Sequence, residues 1–183
     1  MKMRPLVSGD LAAIQAFTDR TIGQGYYSSA ELADILQRST KNGVVFSLLL
    51  EDEQGEVRGI RITYPPGQWS HGKGHGLCPE KWNSPLSETA FFQSLFIEPS
   101  LTGQGWGKQL SLESMRLLKA AGTKAVVCHS WKESPGDSSG KYLRSMGFAT
   151  VATHPLYWKD VDYTCTRCGK PCLCTAEEMI KYL

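Results

Sequence analysis

At 183 residues the chain has room for one domain with its own hydrophobic core, or one domain plus a small appendage. Hydrophobic residues make up 41% and charged residues 21%, an ordinary balance for a soluble globular protein. A formal net charge of +2 carries no strong signature of nucleic-acid or membrane-surface binding, and no run of ~18 apolar residues is present to span a bilayer.

The first ten residues lack an apolar signal core, so the chain reads as cytoplasmic and its six cysteines as metal ligands or free thiols. Residues 1–7 read as a strand. Ser8-Gly9-Asp10 offers a cap, and Leu11, Ile14, Phe17 and Ile22 suggest a helix. Gly23 to Tyr27 is a break, where Tyr26 and Tyr27 either line a pocket or brace two helices. Ser28 to Glu31 has capping-box spacing and opens a second helix through Leu32, Ile35 and Leu36, ending near Lys41-Asn42-Gly43. Val44 to Glu51 and Val57 to Tyr64 read as a hairpin turned at Asp52–Gly55. Residues 67–89 are rich in Gly, Trp and His and lack periodicity. A loop this long is a substrate-covering flap, a metal site on His71, His75 and Cys78, or a surface insertion. Ala90 to Ile97 is apolar on both faces, as a central strand should be.

The most informative stretch follows that strand. Gly103, Gly105 and Gly107 alternate and then a helix opens at once. Unpaired N–H groups and the helix dipole there favour an anion, phosphate or pyrophosphate above all; the plainer alternative is a turn that needs glycine. The spacing does not fit the dinucleotide fingerprint. The nucleotide P-loop fails because Thr102 stands where Gly is needed and Gln109 where Ser or Thr is needed. The helix carries Trp106, Leu110, Leu117 and Ala121 on one face and ends at Gly122. Lys124 to His129 is a strand in which Cys128 reads as core. His129 lies at the strand's carboxyl end, where it is a general base or a half-buried ring bonded to backbone. A loop over residues 130–136 leads to a short helix from Asp137 or Ser138 to Met146, closed by Gly147.

Leu95-x-Ile97-x-Pro99-x-x-Thr102-Gly103-Gln104-Gly105-Trp106-Gly107 resembles the acyl-CoA pyrophosphate loop of the GNAT superfamily of N-acyltransferases. Tyr142 to Phe148 resembles its second signature, and the order of elements over residues 1–160 agrees. The resemblance implies an α/β (α+β) fold: a mixed, mostly antiparallel central sheet with splayed central strands, flanked by helices. It implies acetyl-CoA as co-substrate, held by Thr102, Gly103, Gln104, Gly105, Trp106, Gly107 and Lys108, with Ser138 and Ser139 near it. It gives the splayed edge at Leu95, Phe96 and Ile97 the acyl carbonyl and pantetheine amides, which an unpaired strand edge is suited to bind. Thr102 replaces the family's Arg or Gln, which shifts the load to backbone amides. Leu143 stands where the family often has the Tyr that protonates the thiolate, and Tyr142, one step earlier, becomes the acid candidate.

Cys165, Cys168, Cys172 and Cys174 fall within ten residues. Cys-x-x-Cys-Gly is a metal knuckle and Cys-x-Cys supplies a second pair. Four thiolates suit a closed, structural Zn²⁺ site; an iron–sulfur cluster or a redox dithiol is the alternative. Residues 175–183 have capping-box spacing and read as a final helix, giving a GNAT-like domain over 1–160 and a zinc knuckle with terminal helix over 161–183. The expected activity is acetyl transfer to a primary amine of a small molecule or peptide, with His129 or Glu98 taking the amine proton. The competing expectation is a non-catalytic acyl-CoA sensor or zinc-knuckle interaction module. The sequence does not identify the acceptor amine.

Overall fold

Local chemistry sets the first elements. In the computed structural model, which describes residues 1–183, strand β1 (Lys2–Pro5) turns at Ser8–Asp10 into helix α1 (Leu11–Thr21). Ile14, Phe17 and Thr18 recur on one face of α1 and are buried. Helix α2 (Ser29–Arg38) opens on the expected capping box. Ser28 Oγ accepts the Glu31 N–H at 3.2 Å, and Glu31 Oε2 accepts the Ser28 N–H at 2.9 Å. The helix ends earlier than its pattern suggested. Asn42 and Gly43, at φ 51° and 76°, turn a tight hairpin between β2 (Thr40–Lys41) and β3 (Val44–Val45). The strand expected over 44–51 is thereby divided, and β4 (Leu48–Glu51) is its part in the main sheet.

Strands β5 (Val57–Tyr64) and β6 (Thr89–Ile97), helix α3 (Trp106–Ala120), strand β7 (Ala125–Trp131), helix α4 (Ser138–Ser145), and strands β8 (Ala149–His154) and β9 (Ala176–Tyr182) complete the chain. The sheet order is β1-β4-β5-β6-β7-β9-β8, and every neighbouring pair is antiparallel except β6–β7. Strand alternation divides the core between the two faces. Ile60, Ile62, Phe91, Val127 and Ile180 meet α1, α2 and the long loop; Phe92, Val126, Cys128 and Met179 meet α3 and α4. Ile14, Leu32, Ile60 and Ile62 are completely buried, and each contributes about 1.5–3 kcal/mol.

Two features position the site. The parallel β6–β7 ladder covers only Thr89–Phe92 against Ala125–Cys128 and then stops, so the central strands splay. A bulge opposite Ile62 and Thr63 leaves Gln93 unpaired where the splay begins.

The terminal helix expected over 175–183 is not formed. Ala176–Tyr182 is strand β9, paired to β7 on one side and β8 on the other. Ala176, Glu178 and Ile180 are buried on one face and Met179 on the other, a period of two. Glu178, which gave the capping-box spacing, is fully buried and bonded elsewhere. The cysteines therefore lie in the connection between β8 and β9, not ahead of a helix docked on the surface.

Candidate active site

The glycine loop is exposed and ends in the first turn of α3. Gly103 and Gly105 have φ of 81° and 86°, a region that favours glycine. The N–H groups of Gly103, Gly105, Trp106, Gly107 and Lys108 find no acceptor within the protein. A Cβ built on Gly103 or Gly105 would point into open space, whereas one on Gly107 would come within 3.2 Å of Leu95 Cδ2. Gly107 thus lets α3 sit directly against β6. The result is a concave row of unpaired donors at a helix N-terminus, beside exposed Lys108 and Thr102. Its chemistry fits a pyrophosphate.

Next to this cradle lies the splay. From Gln93 to Ile97 the edge of β6 facing β7 has no strand partner, and Leu95, Phe96 and Ile97 are half-buried along it. Tyr142 reaches back from α4. Its hydroxyl donates to the Gly107 carbonyl at 3.1 Å and lies 2.7 Å from Ser111 Oγ, at the same mouth. Leu143 turns into the core. Ser138 is exposed at the start of α4, while Ser139 Oγ accepts the Trp131 N–H at 3.2 Å and ties α4 to the edge of β7. On the α3 side of the sheet, the Arg61 guanidinium lies 3.5 Å over the Phe92 ring, and its Nε and Nη2 have no partner. Burial pulls its pKa down to about 10.

His129 sits on the other face. Its Nε2 is 2.9 Å from the Gly76 carbonyl, its Nδ1 is 3.1 Å from the Tyr157 hydroxyl, and its ring stacks on Tyr157 at 4.2 Å. A carbonyl can only accept, so Nε2 carries the proton and Nδ1 accepts from Tyr157. Burial, aided by nearby His154 and opposed by the Gly76 bond, pushes its pKa down to about 3. The half-buried reading of this ring matches the geometry better than that of a free base. Glu98 is held by Arg20 at 2.9 Å and faces Arg58 at 3.9 Å. The three catalytic candidates therefore do not converge on one point.

The long loop lies across this face. Trp69 stacks on Phe91 and donates to the Thr89 carbonyl, and Gly76 lies against His154. Its clamp is Glu178, which sequence reading missed. This carboxylate accepts from Trp82 Nε1 at 2.5 Å, the Cys78 N–H at 3.0 Å and His154 Nε2 at 2.7 Å. Three donors satisfy a charge with no access to water. His71 and His75 are exposed and stand apart from Cys78, which instead neighbours His154 and Glu178.

The cysteine cluster assembles as its spacing predicts. The four sulfurs of Cys165, Cys168, Cys172 and Cys174 lie within 4.8 Å of one another. Cys168 Sγ is 3.9 Å from Cys172 Sγ and 3.7 Å from Cys174 Sγ, too far for a disulfide. A tetrahedron with metal–sulfur arms of about 2.3 Å has an edge of about 3.8 Å, so the donor set fits Zn²⁺. The Leu173 N–H and Tyr163 hydroxyl donate to Cys168 and Cys172, each at 3.2 Å. Tyr163 also meets Tyr26 edge-on at 5.1 Å, which joins the cluster to the α1–α2 connection.

No family model and no curated protein matches this sequence. Solved structures do match its fold. The ribosomal-protein-S18-alanine N-acetyltransferase from Escherichia coli superposes with a TM-score of 0.67 at 14% identity, over 99% of this chain and 92% of its own. Naa20 from Chaetomium thermophilum, solved with a bisubstrate analogue, gives 0.68 at 18% identity over 100% and 87%. A GNAT superfamily phosphinothricin acetyltransferase from Sinorhizobium meliloti, solved with AcCoA, gives 0.68 at 20% identity over 100% and 88%. The splayed mixed sheet, the glycine cradle at α3 and these superpositions together give the chain the fold of the GNAT superfamily N-acetyltransferases.

Proposed function

We propose that the chain transfers an acetyl group from acetyl-CoA to a primary amine of a small molecule or peptide. The observation that carries this reading is the set of unpartnered N–H groups of Gly103, Gly105, Trp106, Gly107 and Lys108, opening into the splay beside Leu95. The cradle would hold the pyrophosphate, and the free edge at Leu95, Phe96 and Ile97 would pair with pantetheine and polarise the acyl carbonyl. Gln104 and Trp106 complete the loop around it. Attack by the amine forms the C–N bond while the C–S bond breaks; sulfur leaves with the electron pair, and the proton that the nitrogen sheds passes to water. Tyr142 is the acid proposed to return a proton to that thiolate. With both His129 nitrogens engaged and Glu98 ion-paired, the amine is proposed to attack from its free-base fraction. Cys165, Cys168, Cys172 and Cys174 are proposed to hold a structural Zn²⁺ with no open coordination position.

Engagement of both base candidates also favours a second reading, an acyl-CoA-binding module without turnover. Calorimetric titration with acetyl-CoA, with Gly105→Trp as the control, tests the cradle. Equal binding by the two proteins, or none by either, refutes it. Thiol release across a panel of amines then separates enzyme from binding module.

A further inference from the structure

One lysine of the long loop is placed unlike any other. The Lys73 side chain is 8% exposed, and its Nζ donates to Glu31 Oε1 at 2.7 Å. The same Nζ lies 4.8 Å from the Tyr26 ring centroid and 4.6 Å from that of Tyr27. A carboxylate and two aromatic faces around one ammonium make a cation cage. The cage is held firmly. Glu31 Oε2 is fixed by the capping box of α2, which leaves Oε1 for the cation. The Tyr27 hydroxyl bonds Ser94 Oγ at 2.7 Å, and Tyr26 meets Phe96 edge-on at 5.5 Å.

Ser94 and Phe96 flank Leu95 on the splayed strand, so the cage abuts the edge assigned to the acyl group. A cavity of about 160 Å³ adjoins it, lined in part by Tyr27, Glu31, Lys73 and the bulged Gln93. On either side of Lys73 the backbone is pressed close. A Cβ on Gly72 would fall 2.2 Å from the Tyr157 hydroxyl, and one on Gly74 would fall 2.1 Å from the Tyr157 carbonyl oxygen. The loop is thus pinned on both sides of Lys73, while the Lys73 side chain turns inward.

We infer that Glu31, Tyr26 and Tyr27 form the recognition site for the acceptor's ammonium, and that Lys73 fills this site as an internal surrogate. The inference rests on the acyltransferase reading and names its acceptor class: a primary amine on a flexible, unbranched alkyl stem like that of Lys73. An external amine must displace Lys73 to bind. An α-amine, branched beside its nitrogen, fits a site shaped for a straight stem less well. Burial of the Lys73 ammonium disfavours its charged form, while the Glu31 bond opposes that shift.

The test uses the full chain and n-butylamine as probe. Binding is measured by calorimetry without acetyl-CoA for wild type, Lys73→Ala, Lys73→Arg and Lys73→Ala/Glu31→Gln; melting curves confirm folding, and Lys73→Gln replaces Lys73→Ala if that variant does not fold. Lys73→Ala should bind n-butylamine about tenfold or more tightly than wild type. Lys73→Arg should stay blocked, and the added Glu31→Gln should remove the gain. Equal binding by wild type and Lys73→Ala, or a gain that survives Glu31→Gln, overturns the inference. Thiol release from acetyl-CoA is then compared for n-butylamine and an alanyl peptide. The Lys73→Ala gain should favour n-butylamine, and an equal gain for both overturns the stated class. Thiol release that ignores Lys73 is failure of this inference alone, whereas n-butylamine binding with no thiol release in any variant is failure of the acyltransferase reading.

Discussion

Lowering the pH from 7 to 5 is expected to destabilise this fold by about 2 kcal/mol through His129 alone. An unfolded histidine titrates near its ordinary value of about 6.5. In the folded chain, burial, with help from His154, holds His129 down to about 3. Between those two values the unfolded chain binds a proton that the folded chain does not. Stability therefore rises with pH across this window and is lost as pH falls through it. At pH 5 the unfolded imidazole is protonated by about 30 to 1, which is worth about 2 kcal/mol. For a chain of this length, that corresponds to a drop of about 4–8 °C in melting temperature. Urea unfolding of wild type and His129→Gln at both pH values isolates the contribution. The variant should lose about 2 kcal/mol less than wild type on acidification. Equal losses would refute the assignment of a buried neutral ring bonded to Gly76 and Tyr157. The same reasoning expects a pH–rate profile with no His129 inflection between pH 5 and 8.

Gly105→Val places a β-branched residue at φ 86° and a side chain over the cradle; acetyl-CoA affinity should fall at least about tenfold, by several times the loss at solvent-facing Gly9→Val. Tyr142→Phe should lower kcat by about 10²-fold while leaving the KM for acetyl-CoA nearly constant, and an unchanged kcat removes Tyr142 from the proton path. Dialysed protein should retain about one zinc per chain by elemental analysis, and Cys168→Ser/Cys174→Ser should lose both the metal and part of the melting temperature; a folded, metal-free wild type excludes the site. Glu178→Ala strands Trp82 Nε1–H, the Cys78 N–H and His154 in a dry interior, and should cost about 3–5 kcal/mol by chemical unfolding. A cost below about 1 kcal/mol would mean that the long loop is not clamped there.

The glycine loop was legible because its demands are local. Positive φ at residues 103 and 105, a close approach at 107 and a helix start are all set within a few residues. The cysteine cluster was legible for the same reason, since four ligands within ten residues have few ways to face apart. The capping box at Ser28 was read correctly, whereas the similar spacing at Thr175 misled. What decides between the two is whether the acidic residue meets its own cap or a distant partner. Glu178 meets Trp82, 96 residues away in sequence, and no window of the chain contains that information. Asn42-Gly43 reads as a helix end but turns the β2–β3 hairpin, and the apolar run beyond it hid the division between β3 and β4. His129 was located at the end of its strand, but the Gly76 carbonyl and Tyr157 hydroxyl that occupy it come from two separate connections.

The parallel ladder between β6 and β7 is the only strand pairing that joins two antiparallel half-sheets, β1-β4-β5-β6 and β7-β9-β8. Mechanically it is a short weld along a seam, with the rest of the joint carried by α3, α4 and the long loop bonded to His129 and Glu178. Amides along the weld, from Thr89 to Phe92 and Ala125 to Cys128, should exchange with solvent at a rate set by how often the halves rock apart. A molecule bridging both open edges would act as a rivet. It would slow exchange in the weld without touching it, and would stiffen the whole molecule by a route that a ligand confined to one half cannot use.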